Sequence, residues 1–144
     1  MAYIIVKYFH IVGVMVFFAS LVLEHLLIKP KMSPAEIGKV AIADLVYGAS
    51  ATFVLVAGLV LWFMVGKGSA FYTANPVFHA KVTIFVLVAL LSIYPTVFFL
   101  KHRKSSAPVV AVPKAIIMIV RVELLMLLLV PLLAVLMAQG YGLA

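Results

Sequence analysis

The sequence contains no cysteine and few charged residues. Without cysteine, disulfide bonds and thiolate metal sites are excluded, and cysteine usage says nothing about the redox compartment. Only four residues are acidic, and charged residues of both signs make up 10% of the chain, whereas a soluble domain averages about 25%. So little charge cannot cover the surface of a water-soluble domain of 144 residues.

What the chain has instead is apolar length, since 67% of its residues are hydrophobic. The apolar residues form four long runs, each sufficient to cross a bilayer as a helix. Ser33-Pro34-Ala35-Glu36 is a helix start signal, because Ser33 can cap, Pro34 fits the first turn and Glu36 can complete a capping box. We predict a single-domain, all-α integral membrane four-helix bundle with helices at about 3–28, 34–65, 76–100 and 114–138.

The formal net charge of +7 resembles that of a nucleic-acid-binding protein, but the basic residues are distributed differently. They gather at helix ends, with no basic patch interleaved with exposed aromatics, so no nucleic-acid partner is expected. Cytoplasmic connections attract positive charge, which places the first and third connections inside and both termini outside the cytoplasm. The basic residues at those two connections are Lys29, Lys31, Lys39, Lys101, Arg103, Lys104 and Lys114.

The first apolar run carries a polar seam. His10, Phe17 and Glu24 are seven residues apart and fall on one helical stripe, with Gly13 and Ser20 beside it. The rest of the circumference is aliphatic or aromatic. Lys7 comes late and no small-x-small cleavage site follows, so we expect a retained membrane helix and not a signal peptide. A single polar stripe predicts that the seam faces other helices.

Three of the four acidic residues, Glu24, Asp44 and Glu123, lie within or beside apolar spans, and Arg121 is the obvious partner. Intramembrane charges usually pair and face the bundle interior. Arg121 and Glu123 are about 200° apart on a helix, so we expect Arg121 to meet Asp44 or Glu24 instead. This intramembrane charge cluster predicts either an ion-pair lock between helices or a functional pocket or proton route.

A second polar group is expected near the opposite membrane face. His10 lies about 10 Å into the first helix, and His79 and Lys81 begin the third at a similar level. Only one of the latter two can face inward with His10, because they are about 200° apart. We expect it to be Lys81, with His79 at the interface or an inner edge, since Val88, Ser92 and Thr96 continue the Lys81 face.

The chemistry available to these residues is limited. No hydrolase triad, HExxH motif or phosphate-binding loop is visible. A membrane-buried His10 can ligate haem iron, shuttle protons or hydrogen-bond a neighbouring helix. Lys81 and Arg121 could hold porphyrin carboxylates or a quinone oxygen, and Gly13 would allow a flat macrocycle to approach the backbone closely.

Across nearly its whole length the chain resembles an uncharacterised family of small predicted bacterial membrane proteins, and four segments carry the match. This resemblance implies a multi-pass protein of the bacterial inner membrane in contact with the lipid bilayer, and it brings no activity. The four segments are ADLVYG at 43–48, KGSAFYTANPVFHAKV at 67–82, LLSIYPTVFFL at 90–100 and RVELLMLLLVPLLAVLMAQGYG at 121–142.

Two shorter segments, KYFHIVGVM at 7–15 and FHAKV at 78–82, are similar to the signature runs of the HemJ-type protoporphyrinogen IX oxidases. Those are small helical membrane proteins that bind haem b and oxidise protoporphyrinogen. Their functional His maps onto His10, and their functional Lys maps onto Lys81. The chain departs from that family in two places, EHLLIKP at 24–30 and Phe17-Phe18. A tryptophan is usual at the second place. The resemblance therefore implies haem binding more directly than oxidase activity.

We predict a haem b- or porphyrin-binding membrane protein with His10 as axial metal ligand and Lys81 facing the pocket. Gly13 and His79 complete the expected cofactor-binding set, and His10 and Lys81 would be the catalytic pair of a HemJ-like oxidase. Two alternatives stay open: a non-catalytic, cytochrome-like electron carrier passing electrons to an acceptor such as quinone, and a small transporter or structural protein with no cofactor. A homo-oligomer is compatible with each.

Overall fold

The computed structural model describes residues 1–66 and 68–142. Four of its helices are long and apolar enough to cross a membrane, which confirms the predicted all-α membrane bundle. The second of them ends in a π-helical turn, Leu61–Val65, and a short helix lies in the second connection. In chain order the elements are α1 (Ala2–Leu27), β1 (Lys31–Met32), α2 (Pro34–Val60), α3 (Ser69–Thr73), α4 (Pro76–His102), β2 (Val110–Ala111) and α5 (Lys114–Ala138).

The helix bounds follow local signals in the sequence. At the start of α2 the Ser33 hydroxyl accepts a hydrogen bond from the Glu36 backbone N–H at 3.2 Å, and the Glu36 carboxylate accepts one from the Ser33 N–H at 3.0 Å. This capping box is reinforced by an ion pair between Glu36 and Lys29. Asn75 caps α4 by accepting from the Val77 N–H at 2.9 Å. Such side chains satisfy backbone donors that would otherwise lack partners.

The first and third connections pair with each other, an arrangement that the sequence did not predict. β1 and β2 form a two-stranded antiparallel ribbon in which Met32 is opposite Val110. The Val112 N–H extends the pairing by donating to the Pro30 carbonyl at 2.8 Å. We call this the ribbon end of the bundle, and the opposite end, where the first and last described residues and α3 lie, the terminus end.

The four long helices are arranged in a ring. α1 packs against α2 and α5, and α4 packs against α5 and α2. At mid-height the rings of Phe17 and Tyr47 are stacked with centroids 4.7 Å apart, and Phe85 lies 5.8 Å from Phe17. Many large aliphatic residues point outward on every helix, as lipid-facing positions should.

Aromatic contacts at the terminus end hold α3 against α4. The Trp62 indole N–H donates to the Thr73 hydroxyl at 3.1 Å, and its ring meets Phe78 edge-on at 4.8 Å. Tyr72 is buried against Phe78. These contacts position the first turns of α4, from which His79 and Lys81 project.

Candidate functional site

His10 lies on the inner side of α1, where α2 approaches. A Cβ atom added to Gly58 of α2 would be 3.4 Å from His10 Cε1 and 3.9 Å from Nδ1, so the imidazole rests on the backbone of α2. The ring also lies beside the backbone of Val54. Within the described residues, Nδ1 is buried and has no hydrogen-bond partner. A buried ring nitrogen without a partner is costly, so its environment is a candidate site.

Lys81 of α4 faces the same space. Its ammonium is close enough to His10 to interact with it electrostatically, and it lies 5.5 Å from the centroid of the buried Phe78 ring. The side chain is half-buried, and within the described residues it makes no ion pair. The structure therefore brings His10 and Lys81 together between α1, α2 and α4.

His79 occupies a different position from Lys81, although only two residues separate them. Its side chain is exposed, and Nε2 lies 2.7 Å from the Thr73 carbonyl oxygen. His79 therefore joins α4 to the end of α3. The structure does not bring it to His10.

Gly13 is buried for a reason that the sequence did not show. A Cβ atom at Gly13 would lie 2.8 Å from Phe53 Cδ1 and 3.0 Å from Val54 Cγ2. The close approach that requires glycine is therefore between α1 and α2. The glycine that accommodates His10 is Gly58, which the sequence reasoning missed because nothing in the sequence indicates which small residue on α2 lies opposite His10.

Two shallow apolar grooves lie between α1 and α2. One has a volume of about 380 Å³ and the other about 320 Å³. Phe9 and Phe53 contribute to both, and neither groove is lined by His10 or Lys81.

The acidic residues of the predicted charge cluster lie toward the ribbon end. Glu24 of α1, Asp44 of α2 and Glu123 of α5 are 1%, 5% and 1% exposed. The Glu24 and Asp44 carboxyl groups are within hydrogen-bonding reach of each other, and each also interacts electrostatically with Glu123. We call these three residues the carboxyl cluster. The structure therefore brings together all the acidic members of the predicted charge cluster.

Arg121 does not join them, so the expected ion pair with Asp44 or Glu24 is wrong. Its side chain is exposed, and the described residues include no ion pair that involves it. The physical reason is the rotation of α5: Glu123 points inward, and a residue two positions away on a helix points to nearly the opposite side. A long arginine side chain there can reach the membrane interface.

Tyr47 is a member of this site that the sequence reasoning missed. It is 3% exposed, its hydroxyl has no hydrogen-bond partner within the described residues, and it interacts electrostatically with all three acids of the carboxyl cluster. A signal existed in the sequence, because Tyr47 follows Asp44 by three residues and shares its helix face.

The carboxyl cluster and the His10–Lys81 pair are thus two distinct sites. His10 and Glu24 are 14 residues apart on one stripe of α1, or about 21 Å along the helix. One site offers an imidazole and an amine, and the other offers three carboxyl groups and a phenol.

Comparison with known proteins gives a family and no activity. No curated protein and no solved structure matches the chain significantly. A family described as "Predicted membrane protein (DUF2214)" matches residues 2–142. With its four apolar helices and this match over almost its entire length, the chain belongs to the DUF2214 family of predicted membrane proteins.

Proposed function

We propose that this membrane protein binds haem b through His10. The observation that carries the proposal is the imidazole of His10, which lies between helices against α2 at Gly58, with Lys81 nearby. The similarity of residues 7–15 and 78–82 to the signature runs of the HemJ-type oxidases supports the same assignment.

The donor set fits an iron porphyrin better than a free metal ion. Within the described residues, no group of three or more His, Cys, Asp or Glu side chains is placed to hold a metal ion. A protein that binds a bare metal must supply most of its ligands, whereas haem iron needs only one or two from the protein. A single buried histidine such as His10 is enough for the second kind of site.

The orientation of the imidazole suggests which nitrogen would bind iron. Nδ1 is turned toward Gly58 of α2. A ligating histidine usually directs its other ring N–H toward the protein. We assign Nε2 as the ligand atom, because Nδ1 is the ring nitrogen that faces α2.

Lys81 would bind a carboxylate of the porphyrin. Its ammonium is half-buried beside His10 and lacks an acidic partner within the described residues. A charge-assisted hydrogen bond from an ammonium to a carboxylate is stronger in such surroundings than in water. Lys81 would thus orient the group that His10 holds.

We extend this proposal to oxidation of a porphyrinogen such as protoporphyrinogen IX, in which the substrate loses hydrogen as electrons and protons. Bound haem b would supply one-electron redox chemistry, and a membrane acceptor such as a quinone would take up the electrons. Lys81 would hold the substrate carboxylate or accept a proton.

The absorption spectrum of protein purified from haem-replete cells tests haem binding. We expect a Soret band that is lost in His10→Ala and retained in His79→Ala, a matched control because His79 is exposed and bonded to α3. A colourless wild-type protein, or a band that survives His10→Ala, would contradict the proposal.

The oxidase activity needs a separate test in a strain that lacks protoporphyrinogen oxidase. We expect the wild-type protein to restore growth and Lys81→Met to fail while keeping its Soret band. If a well-expressed wild-type protein does not restore growth, the oxidase assignment is wrong, and a Soret band would then leave the electron-carrier alternative.

We also propose that the protein resides in the bacterial inner membrane with both termini in the periplasm. The ribbon end carries most of the basic residues, including Lys29, Lys31, Arg103 and Lys104. Positive charge in short connections favours the cytoplasmic side. The carboxyl cluster would then lie in the cytoplasmic half of the bilayer.

A further inference from the structure

The carboxyl cluster lacks a compensating cation. Three acids from α1, α2 and α5 are almost fully buried together, and Arg121, the nearest basic residue in sequence to Glu123, is exposed. The ion pair in the described part of the chain, between Lys29 and Glu36, lies at the partly exposed start of α2. Three negative charges buried without a partner would be very costly, so something else must neutralise them.

A second observation indicates that the cluster takes a ligand. The Tyr47 side chain is 3% exposed and directed at the three acids, and its hydroxyl has no partner within the described residues. One oxygen each of Glu24 and Glu123, Oε1, is also buried without a partner. Buried polar atoms are nearly always hydrogen-bonded, so these atoms indicate a missing hydrogen-bonding species.

The surroundings make a proton the best-fitting species. The described residues include no group of acidic or histidine side chains placed to hold a metal ion. Two carboxyl groups within hydrogen-bonding reach, as Glu24 and Asp44 are, can bond to each other only when one of them carries a proton. Sharing a proton removes one charge and satisfies one donor–acceptor pair at once.

Each helix around the cluster contributes identifiable groups. α1 contributes Glu24 and the adjacent His25, whose Nδ1 is buried and unpartnered, α2 contributes Asp44 and Tyr47, and α5 contributes Glu123. The side chains of α4 near this end are the buried Phe99, the exposed Lys101, and His102, whose Nδ1 lies 3.0 Å from the Phe98 carbonyl oxygen.

Apolar side chains of the first and third connections are buried at the end of the bundle beyond Glu24. Ile28, Met32, Val110 and Val112 are 9%, 1%, 8% and 6% exposed. Low exposure of the surroundings strengthens electrostatic interactions among buried carboxyl groups.

We propose that Glu24, Asp44, Glu123 and Tyr47 form an intramembrane proton-binding site, with a proton shared between Glu24 and Asp44 and with Glu123 and the Tyr47 hydroxyl as its next partners. This site is independent of haem binding at His10, because the two share no residue. Failure of either proposal would leave the other intact.

Infrared spectroscopy of the full-length protein in lipid nanodiscs tests the site. We expect the carbonyl stretch of a protonated carboxylic acid at neutral pH, shifted in deuterated water. Glu24→Gln and Asp44→Asn should each remove most of that band. Glu36→Gln should leave it unchanged, since Glu36 is paired with Lys29 at the start of α2.

The Tyr47→Phe variant keeps the ring that stacks on Phe17 and removes only the hydroxyl. It therefore provides a second test of the site if an acid variant fails to fold. We expect the band to change frequency in Tyr47→Phe, because the proposed site makes the Tyr47 hydroxyl a partner of the protonated acid and the variant lacks that hydroxyl. Three results would overturn the proposal: no band in the wild type at neutral pH, a band that Tyr47→Phe leaves at the same frequency, or a band removed by sodium or potassium at constant pH, which would indicate a cation site.

Discussion

Lys81 and His79 illustrate what one sequence can predict about single residues. The two are separated by about 200° on a helix, so the polar continuation of one face was enough to predict that Lys81 points inward. The structure places Lys81 beside His10 and His79 against α3. Their placement depended on one helix alone, which is why periodicity sufficed.

Arg121 and Tyr47 illustrate the opposite case. The expected partners of Arg121 were chosen by charge, but the rotation of α5 that buries Glu123 exposes Arg121. Tyr47 lies three residues after Asp44 and is buried where its ring stacks on Phe17 of α1. Which face is covered depends on other helices, and charge complementarity does not decide it.

We predict that Gly58→Leu abolishes haem binding. A Cβ atom at Gly58 already lies 3.4 Å from His10 Cε1, so the branched atoms of leucine would displace the imidazole. The measurement is the Soret absorbance per protein, which should fall at least tenfold. Gly48→Leu on the same helix is the control, because a Cβ atom there meets nothing within 4 Å. Equal haem content in the two variants would show that Gly58 does not support His10.

The helix pair α1–α2 owes its close approach to Gly13. Sequence reasoning assigned this glycine to a macrocycle, whereas the structure uses it to bring α1 against Phe53 and Val54. Small residues commonly permit such contact between membrane helices. The sequence indicated that Gly13 is a point of close approach. It could not indicate that α2 makes this approach, because packing partners are not adjacent in sequence.

We predict that Gly13→Leu lowers the free energy of unfolding by about 1–3 kcal/mol, the usual cost of overpacking. Val54 is buried and cannot move freely, so α1 and α2 must separate. Unfolding of the purified protein in mixed micelles with increasing dodecyl sulfate measures the change. Gly38→Leu is the control, since its Cβ atom would meet nothing within 4 Å. A loss no greater than that of the control would refute the packing role.

The whole bundle joins two helical hairpins, α1–α2 and α4–α5, which pack side by side and share the ribbon formed by their connections. The third connection was predicted only as a linker. Its pairing with the first connection could not be read from the sequence, because each strand is two residues long and shows no alternating pattern. The ribbon nevertheless buries Met32 and Val110 at its end of the bundle.

We predict that the ribbon end faces the cytoplasm, and the absence of native cysteine makes the test direct. Ser106→Cys in the third connection and Ser69→Cys in α3 both place a thiol at an exposed position. In intact cells, a membrane-impermeant maleimide should label Ser69→Cys and not Ser106→Cys. Both should react after the membrane is permeabilised, which controls for accessibility. Labelling of Ser106→Cys in intact cells would reverse the assigned orientation.

Composition and hydrophobic run length were sufficient to predict four membrane helices, because a span needs about 20 apolar residues and nothing else in a chain this poor in charge can fill that role. The helix starts at Pro34 and Pro76 follow from local capping. The contacts between helices could not be predicted this way. Each helix can rotate about its own axis until packing stops it, and that packing placed Gly58 under His10, brought Tyr47 to the carboxyl cluster and left Arg121 outside.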